Sequence, residues 1–218
     1  MSKTEVATGA AFDDRAESAM DWARANGKYL TIAAAVVALL AAGWVVVRQY
    51  QSRQASAAEN QLNRARQSYA QGNLPLAQTD LRRVIARFGG SPAGSQATML
   101  LAQAYLEQGK ADSGLKVLSD GKAAKQDRAV FEALKGAGLE QKKEYAQAAE
   151  RYRAAAGLTD VKISKDRFMA DAARAFGSAG NKTEAAKIWD ALAKDETSAF
   201  AAEARVRLGE LTATAVSR

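Results

Sequence analysis

The sequence predicts an all-α chain: a single transmembrane helix, then an α-solenoid of about four helix pairs, closed by a C-terminal capping helix. Three observations carry this. A run of 19 uncharged residues, Tyr29–Val47, interrupts an otherwise polar chain of 218 residues. The rest is alanine-rich, with only 2 prolines and no sustained alternation of β-branched residues, so little breaks helices and nothing marks strands. Small residues also recur through it at a nearly fixed interval, the signature of a repeat architecture.

Composition narrows the chemistry. Apolar residues are 48% of the chain, enough for a core, and the net charge is +7. That excess favours acidic surfaces without indicating nucleic acid. Cysteine and histidine are both absent. The chain therefore has no thiol nucleophile, no disulfide, no imidazole base and no Cys/His zinc site. A cysteine-free chain suits an oxidising compartment and the cytosol alike.

Residues 1–28 form the first segment. Met1–Ala11 is small and polar and reads as disordered. In Phe12–Gly27, Phe12, Ala16, Ala19, Met20 and Ala23 share one helical face, with Trp22 beside it. Asp13 and Asp14 complement the helix dipole, and Asn26-Gly27 is a helix stop. Such a short amphipathic helix serves as an interfacial or partner contact, or merely flanks an anchor.

Residues 29–47 come next. At 1.5 Å per residue the run spans roughly 28 Å, close to a bilayer core. Lys28 and Arg48 bound it, and Tyr29, Trp44 and Tyr50 sit near its ends, where interfacial aromatics belong. A soluble core helix of this length would carry a polar stripe. A cleaved signal peptide would have a shorter apolar region and a shorter leader. An uncleaved anchor is expected. Bases near its two ends, Arg15, Arg24 and Lys28 against Arg48, Arg53, Arg64 and Arg66, do not decide the orientation.

Residues 48–218 form the repeat domain. Gln49–Asn60 is polar without Pro or Gly, so the anchor helix is expected to continue into the first repeat as a stalk. Ala65, Ala102, Gly136, Ala173 and Gly209 then follow at intervals of 37, 34, 37 and 36 residues. Around them the first unit has Leu62, Tyr69, Gly72, Leu74, Ala77, Leu81 and Ile85. The second has Leu101, Tyr105, Gly109, Gly114 and Leu118. The third has Leu139, Tyr145, Ala148, Tyr152 and Ala155, and the fourth has Phe176, Gly180, Ala185, Trp189 and Leu192. Small residues let helix A approach helix B closely, and large ones fill the space between repeats.

This pattern resembles the tetratricopeptide repeat: a small residue on each helix at the crossing, an aromatic on each, and a glycine at the turn. Two departures stand out. The closing proline is missing or displaced in every unit, Pro92 being the nearest candidate, and Lys143 takes the place of the third turn glycine. A generic alanine-rich bundle shares the small–large alternation but not the fixed period. The last helix, Ala199–Leu211, reads as a lone helix A that caps the solenoid, with Glu203, Arg205, Arg207 and Glu210 on a solvated face. Thr212–Arg218 is expected to fray.

The order of parts extends the resemblance. A short acidic amphipathic segment, Asn26-Gly27-Lys28, a span carrying Gly43-Trp44 and repeat units to the end are similar to the YfgM family of ancillary SecYEG translocon subunits of Gram-negative bacteria. That resemblance implies a single-pass inner-membrane protein, N-terminus cytoplasmic and C-terminal domain periplasmic. It also implies association with the translocon and with a membrane-anchored periplasmic chaperone of the prolyl-isomerase type.

No catalytic, cofactor-binding or metal-binding motif is found. Arg87-Phe88-Gly89-Gly90-Ser91 lacks the end of a phosphate loop, and Asp13-Asp14 and Asp195-Glu196 read as solvated turn or cap residues. Seven arginines between Arg48 and Arg87 face only Glu59 and Asp80. They mark solvated helix faces, or contact with anionic headgroups or an acidic partner. Aromatics are not interleaved with the bases as nucleic-acid binding requires, and no small-molecule substrate or cofactor is implied. The expectation is a scaffold or chaperone-like accessory protein that binds protein partners and emerging client chains. The alternative is a purely structural subunit of another inner-membrane or cell-envelope assembly. A weaker third class is a hydrolase with an unrecognised Ser-Lys pair. For the scaffold, the repeat register places a groove on the A helices: Leu62, Arg66, Tyr69, Gln96, Met99, Gln103, Leu106, Val130, Glu140, Arg167, Ala170 and Arg174.

Overall fold

The computed structural model describes Met20, Trp22 and residues 24–216. Of Leu30, Ala33, Ala34 and residues 212–216 it describes the backbone alone. The expected disorder of Met1–Ala11 and most of the expected amphipathic helix lie outside the described residues. Among the described residues the secondary structure is helical, without strands. The helices are α1 (Gly27–Ala70), α2 (Leu74–Phe88), α3 (Pro92–Glu107), α4 (Ala111–Asp120), α5 (Arg128–Gln141), α6 (Tyr145–Gly157), α7 (Lys162–Ser178), α8 (Lys182–Lys194) and α9 (Ala201–Val216), with a 3-10 turn at Lys125–Asp127 before α5. The chain divides into two compact units, Met1–Gln54 and Ala55–Arg218.

The first unit contains the beginning of α1, which starts at Gly27 directly after a turn at Asn26. The Asn26 side chain closes that turn by donating to the Trp22 carbonyl at 2.9 Å. Large apolar side chains along this helix, among them Ile32, Leu39, Leu40, Trp44 and Val46, are more than half exposed. A cation caps each end of the apolar run, Lys28 over the Tyr29 ring at 5.4 Å and Arg48 over the Trp44 ring at 5.1 Å. The span expected over 29–47 does not stand as a finding: among the described residues no helix is long and apolar enough to cross a membrane. Leu30, Ala33 and Ala34 lie outside the described side chains, and the longest uninterrupted described part of the run, Ala35–Val47, is 13 residues. A crossing takes about 20.

In the second unit the helices form four pairs in sequence: the end of α1 with α2, α3 with α4, α5 with α6, and α7 with α8. Each pair turns in the same way. Gly72, Gly109, Lys143 and Gly180 have φ of 75°, 71°, 62° and 79°, a left-handed conformation at the residue after the helix. The next residue's N–H reaches back into the last turn: Asn73 to the Ser68 carbonyl, Lys110 to Tyr105, Glu144 to Leu139 and Asn181 to Phe176, each at 2.9 or 3.0 Å. These are Schellman closures spaced 37, 34 and 37 residues apart. Asn73, Ser91 and Asn181 cap α2, α3 and α8 with side-chain oxygens, and Pro75 and Pro92 sit in first turns, where a missing N–H costs nothing.

The register of small residues holds through these four pairs. Ala65, Ala102 and Ala173 are completely buried, as are Ala77, Ala148 and Ala185 on the partner helices. Gly136 is buried as well, and a Cβ there would lie 2.8 Å from the Tyr152 ring. The first core joins Leu62, Ala65, Leu81, Val84, Phe88, Ala97, Leu101 and Tyr105 across α1, α2 and α3. The largest runs from Leu139 through Tyr152, Ala173, Phe176 and Trp189 to Ala204 on α9.

The last helix departs from the expected register. Gly209 is exposed, and nothing lies within 4 Å of a Cβ built on it. The small residue that packs into the fourth pair is Ala204, completely buried. α9 closes the stack as a single helix, and it runs on to Val216 where fraying was expected from Thr212.

Candidate binding face

Three of the A helices run side by side in the same direction. The end of α1 meets α3 through Arg66, whose guanidinium donates to the Gln96 side chain. It meets α3 again through Tyr69, whose hydroxyl donates to Glu107. Gln103 donates to the same carboxylate at 3.0 Å. From α5, Gln141 donates to the Leu106 carbonyl at 2.9 Å. Contacts advance together along each helix, so α1, α3 and α5 lie parallel and their outward side chains form one face. Burial and the Glu107 carboxylate push the Tyr69 hydroxyl up to about 12, so it stays a hydrogen-bond donor at neutral pH.

The expected groove residues divide by burial. Arg66, Gln103, Val130 and Arg167 are exposed, and Tyr69, Gln96, Met99, Glu140 and Arg174 are half-buried. The other three are corrected. Leu62 and Ala170 are 0% exposed and Leu106 is 7% exposed. An A helix packs on its own B helix and on the neighbouring repeat, so its apolar stripe is wide and takes these positions inside. Glu140 is engaged as well, accepting from the Tyr152 hydroxyl at 2.8 Å. Burial and that carboxylate raise the Tyr152 hydroxyl far above its ordinary value.

Arg174 is likewise not a free cation of the face. Its Nε and Nη2 donate to Glu203 of α9 at 2.9 and 2.8 Å, and its Nη1 donates to Asp171 at 2.5 Å. Its guanidinium lies 5.9 Å from the Trp189 ring centre. The Arg174 hydrogen bond holds the Glu203 carboxyl below its usual range. Burial outweighs nearby cations and raises Asp171.

Beside Arg174 is a cavity of about 530 Å³ between α7, α8 and α9, with Ala173, Ala185 and Trp189 as apolar lining and Lys182, Arg207, Glu210 and Leu211 around it. Sequence reasoning missed it. Its only advance sign was the lone helix after the fourth pair, which leaves part of α7 and α8 uncovered.

The arginines of Arg48–Arg87 are partly engaged within the fold. Arg82 donates to the Tyr105 hydroxyl and lies 5.8 Å from that ring centre, Arg83 pairs with Asp80 at 3.0 Å, and Arg87 lies 5.3 Å from the Phe88 ring centre. Among the described residues no three of His, Cys, Asp or Glu are placed to hold a metal ion.

Residues 57–169 match the family described as a tetratricopeptide repeat-like domain, just over half of the chain. No curated protein matches it.

Proposed function

Because the chain belongs to the tetratricopeptide repeat-like domain family, we propose that it is a non-catalytic scaffold whose A-helix face holds extended protein segments near a membrane. One observation carries the binding reading. The outward side chains of the parallel helices α1, α3 and α5 carry guanidinium, amide, thioether and aliphatic groups: Arg66, Gln96, Met99, Gln103 and Val130. Amides and bases meet a peptide backbone and its carboxylates without demanding a sequence, and a thioether adapts to varied side chains.

The finer reading is an inner-membrane protein anchored by residues 29–47, N-terminus cytoplasmic and repeat domain periplasmic. Its partners would be the Sec translocon, a membrane-anchored periplasmic chaperone and emerging chains. Supporting the anchor are the uncharged 19-residue run and the exposure of its described apolar side chains, which water would penalise by about 25 cal/mol per Å². Supporting the partners is the resemblance in the order of segments.

Cross-linking from intact envelopes, followed by purification in mild detergent and mass spectrometry, tests both levels. The scaffold reading expects substoichiometric, varied clients beside any fixed partners. Arg66→Glu with Arg167→Glu, both exposed, should cut client cross-links at least several-fold while the fold survives. Undiminished cross-linking in the folded double variant would favour the structural-subunit alternative. Compartment-specific reporters fused to each end test the topology, and a periplasmic N-terminus or a mature chain starting after Gly43 would sink it.

A further inference from the structure

We propose that the gap at the end of α4 is a second docking site, for an acidic partner segment that inserts one bulky apolar side chain. The four B helices begin in phase, at Leu74, Ala111, Tyr145 and Lys182, but they do not end in phase. α2 has 15 residues, α6 and α8 have 13, and α4 has 10. α4 therefore lacks about one turn.

The cause is local and legible. Gly121 ends α4, and a Cβ on it would stand 2.4 Å from Thr98 Cγ2 and 2.9 Å from the Val117 carbonyl oxygen. Glycine lets the chain fall in against α3, where the Ala124 N–H donates to Ser95 Oγ at 3.0 Å. The connection is held to the start of α3, and a cavity of about 210 Å³ is left beside α5. Leu118, Ala123 and Phe131 line it, together with Leu158 from the end of α6, which is 49% exposed. At about 30 Å³ per water, the space suits one large side chain better than a fold of chain.

Charge selects the occupant. Glu132 in the lining is already shared by two cations, Lys135 at 2.7 Å and Arg151 at 3.1 Å. Asp120 is bridged to Lys116 at 2.9 Å, and Asp127, buried with its Oδ2 unpartnered, is a carboxylate that the three cations Arg128, Lys122 and Lys125 outnumber. Arg128 lines the cavity, and exposed Lys122 and Lys125 stand on the connecting loop. Carboxylates flanking an inserted aromatic or leucine side chain complement this arrangement. The site is separate from the A-helix face, so either can fail without the other.

The test uses the full chain in mild detergent and a labelled peptide with one phenylalanine between pairs of aspartates, followed by fluorescence anisotropy. Saturable binding that weakens with salt is expected. Ser119→Trp, which fills the gap from an exposed position, and Arg128→Glu should each weaken it about 10-fold or more. So should replacing the peptide's phenylalanine by alanine. Arg205→Glu, at an exposed base on α9 outside both surfaces, should leave it unchanged. Absence of saturable binding, or full binding in folded Ser119→Trp, would overturn the proposal. Loss confined to Arg66→Glu would move the peptide to the A-helix face and overturn it equally. If Ser119→Trp does not fold, Arg128→Glu and the alanine peptide decide.

Discussion

Lys143 stands where three sister turns have glycine, and it keeps their geometry at φ 62°. A non-glycine residue pays about 1–2 kcal/mol for that conformation, while glycine there costs entropy in the unfolded chain. Lys143→Gly should therefore stabilise the fold by about 0.5–1 kcal/mol, and Gly109→Ala should destabilise it by about 1 kcal/mol. Denaturant melts of the two variants check this, and equal destabilisation would refute the shared turn. Arg174 teaches the opposite lesson. The helix register puts it outward, and as a surface base it should tolerate charge reversal. The bidentate pair with Glu203 makes Arg174→Glu a repulsion at the α7–α9 contact. A loss of about 1–2 kcal/mol is expected, discounted because its side chain remains 36% exposed. Nothing local in the sequence announces a partner 29 residues away.

Among the elements, turns and small-residue crossings were legible because each depends on a few adjacent residues: a glycine after an apolar stripe, an alanine where two helices touch. Two features were not. α4 is short because Gly121 meets Thr98, a contact between elements. α9 is out of phase because it has no B helix to hold its register, so Ala204 and not Gly209 packs inward. What holds α9 is partly electrostatic. Arg174 binds Glu203, and Lys162 at the start of α7 pairs with Asp195 before α9 at 2.5 Å. Lys162 and the Thr197 donors hold the Asp195 carboxyl near 2. Glu203 is also depressed. Carboxyls below their unfolded values of about 4 contribute fully above that pH, and lose the contribution as the pH falls through their folded values. α9 should loosen between about pH 4 and 2, with raised Asp171 opposing weakly, since its protonated form is the one favoured on folding. A spin label at Val206→Cys, unique in this cysteine-free chain, should gain mobility in that window. In Glu203→Gln it should be more mobile already at pH 6. A label unchanged down to pH 2 would show that apolar packing alone holds the helix.

At the scale of the repeat domain, stability is a chain of neighbour contacts, with each helix pair burying its faces against the next. The core from Leu139 to Ala204 ends under α9, where Trp189, Ile188 and Leu192 are buried. Each such side chain contributes about 1.5–3 kcal/mol when fully buried. A stop codon after Phe200 would uncover part of the fourth pair and leave the first pair's contacts unchanged. The expected result is graded. Amide protection should fall most in α7 and α8, less in α5 and α6, and hardly at all in α2 and α3, because the first core, across α1, α2 and α3, shares no side chain with α9. Hydrogen exchange on full-length and shortened chains in detergent reads this directly. Uniform loss across all four pairs would mean the domain unfolds as one block, and then the α4 gap and the A-helix face could not be altered independently. A graded loss would allow each surface to be mutated and judged on its own, which the binding experiments require.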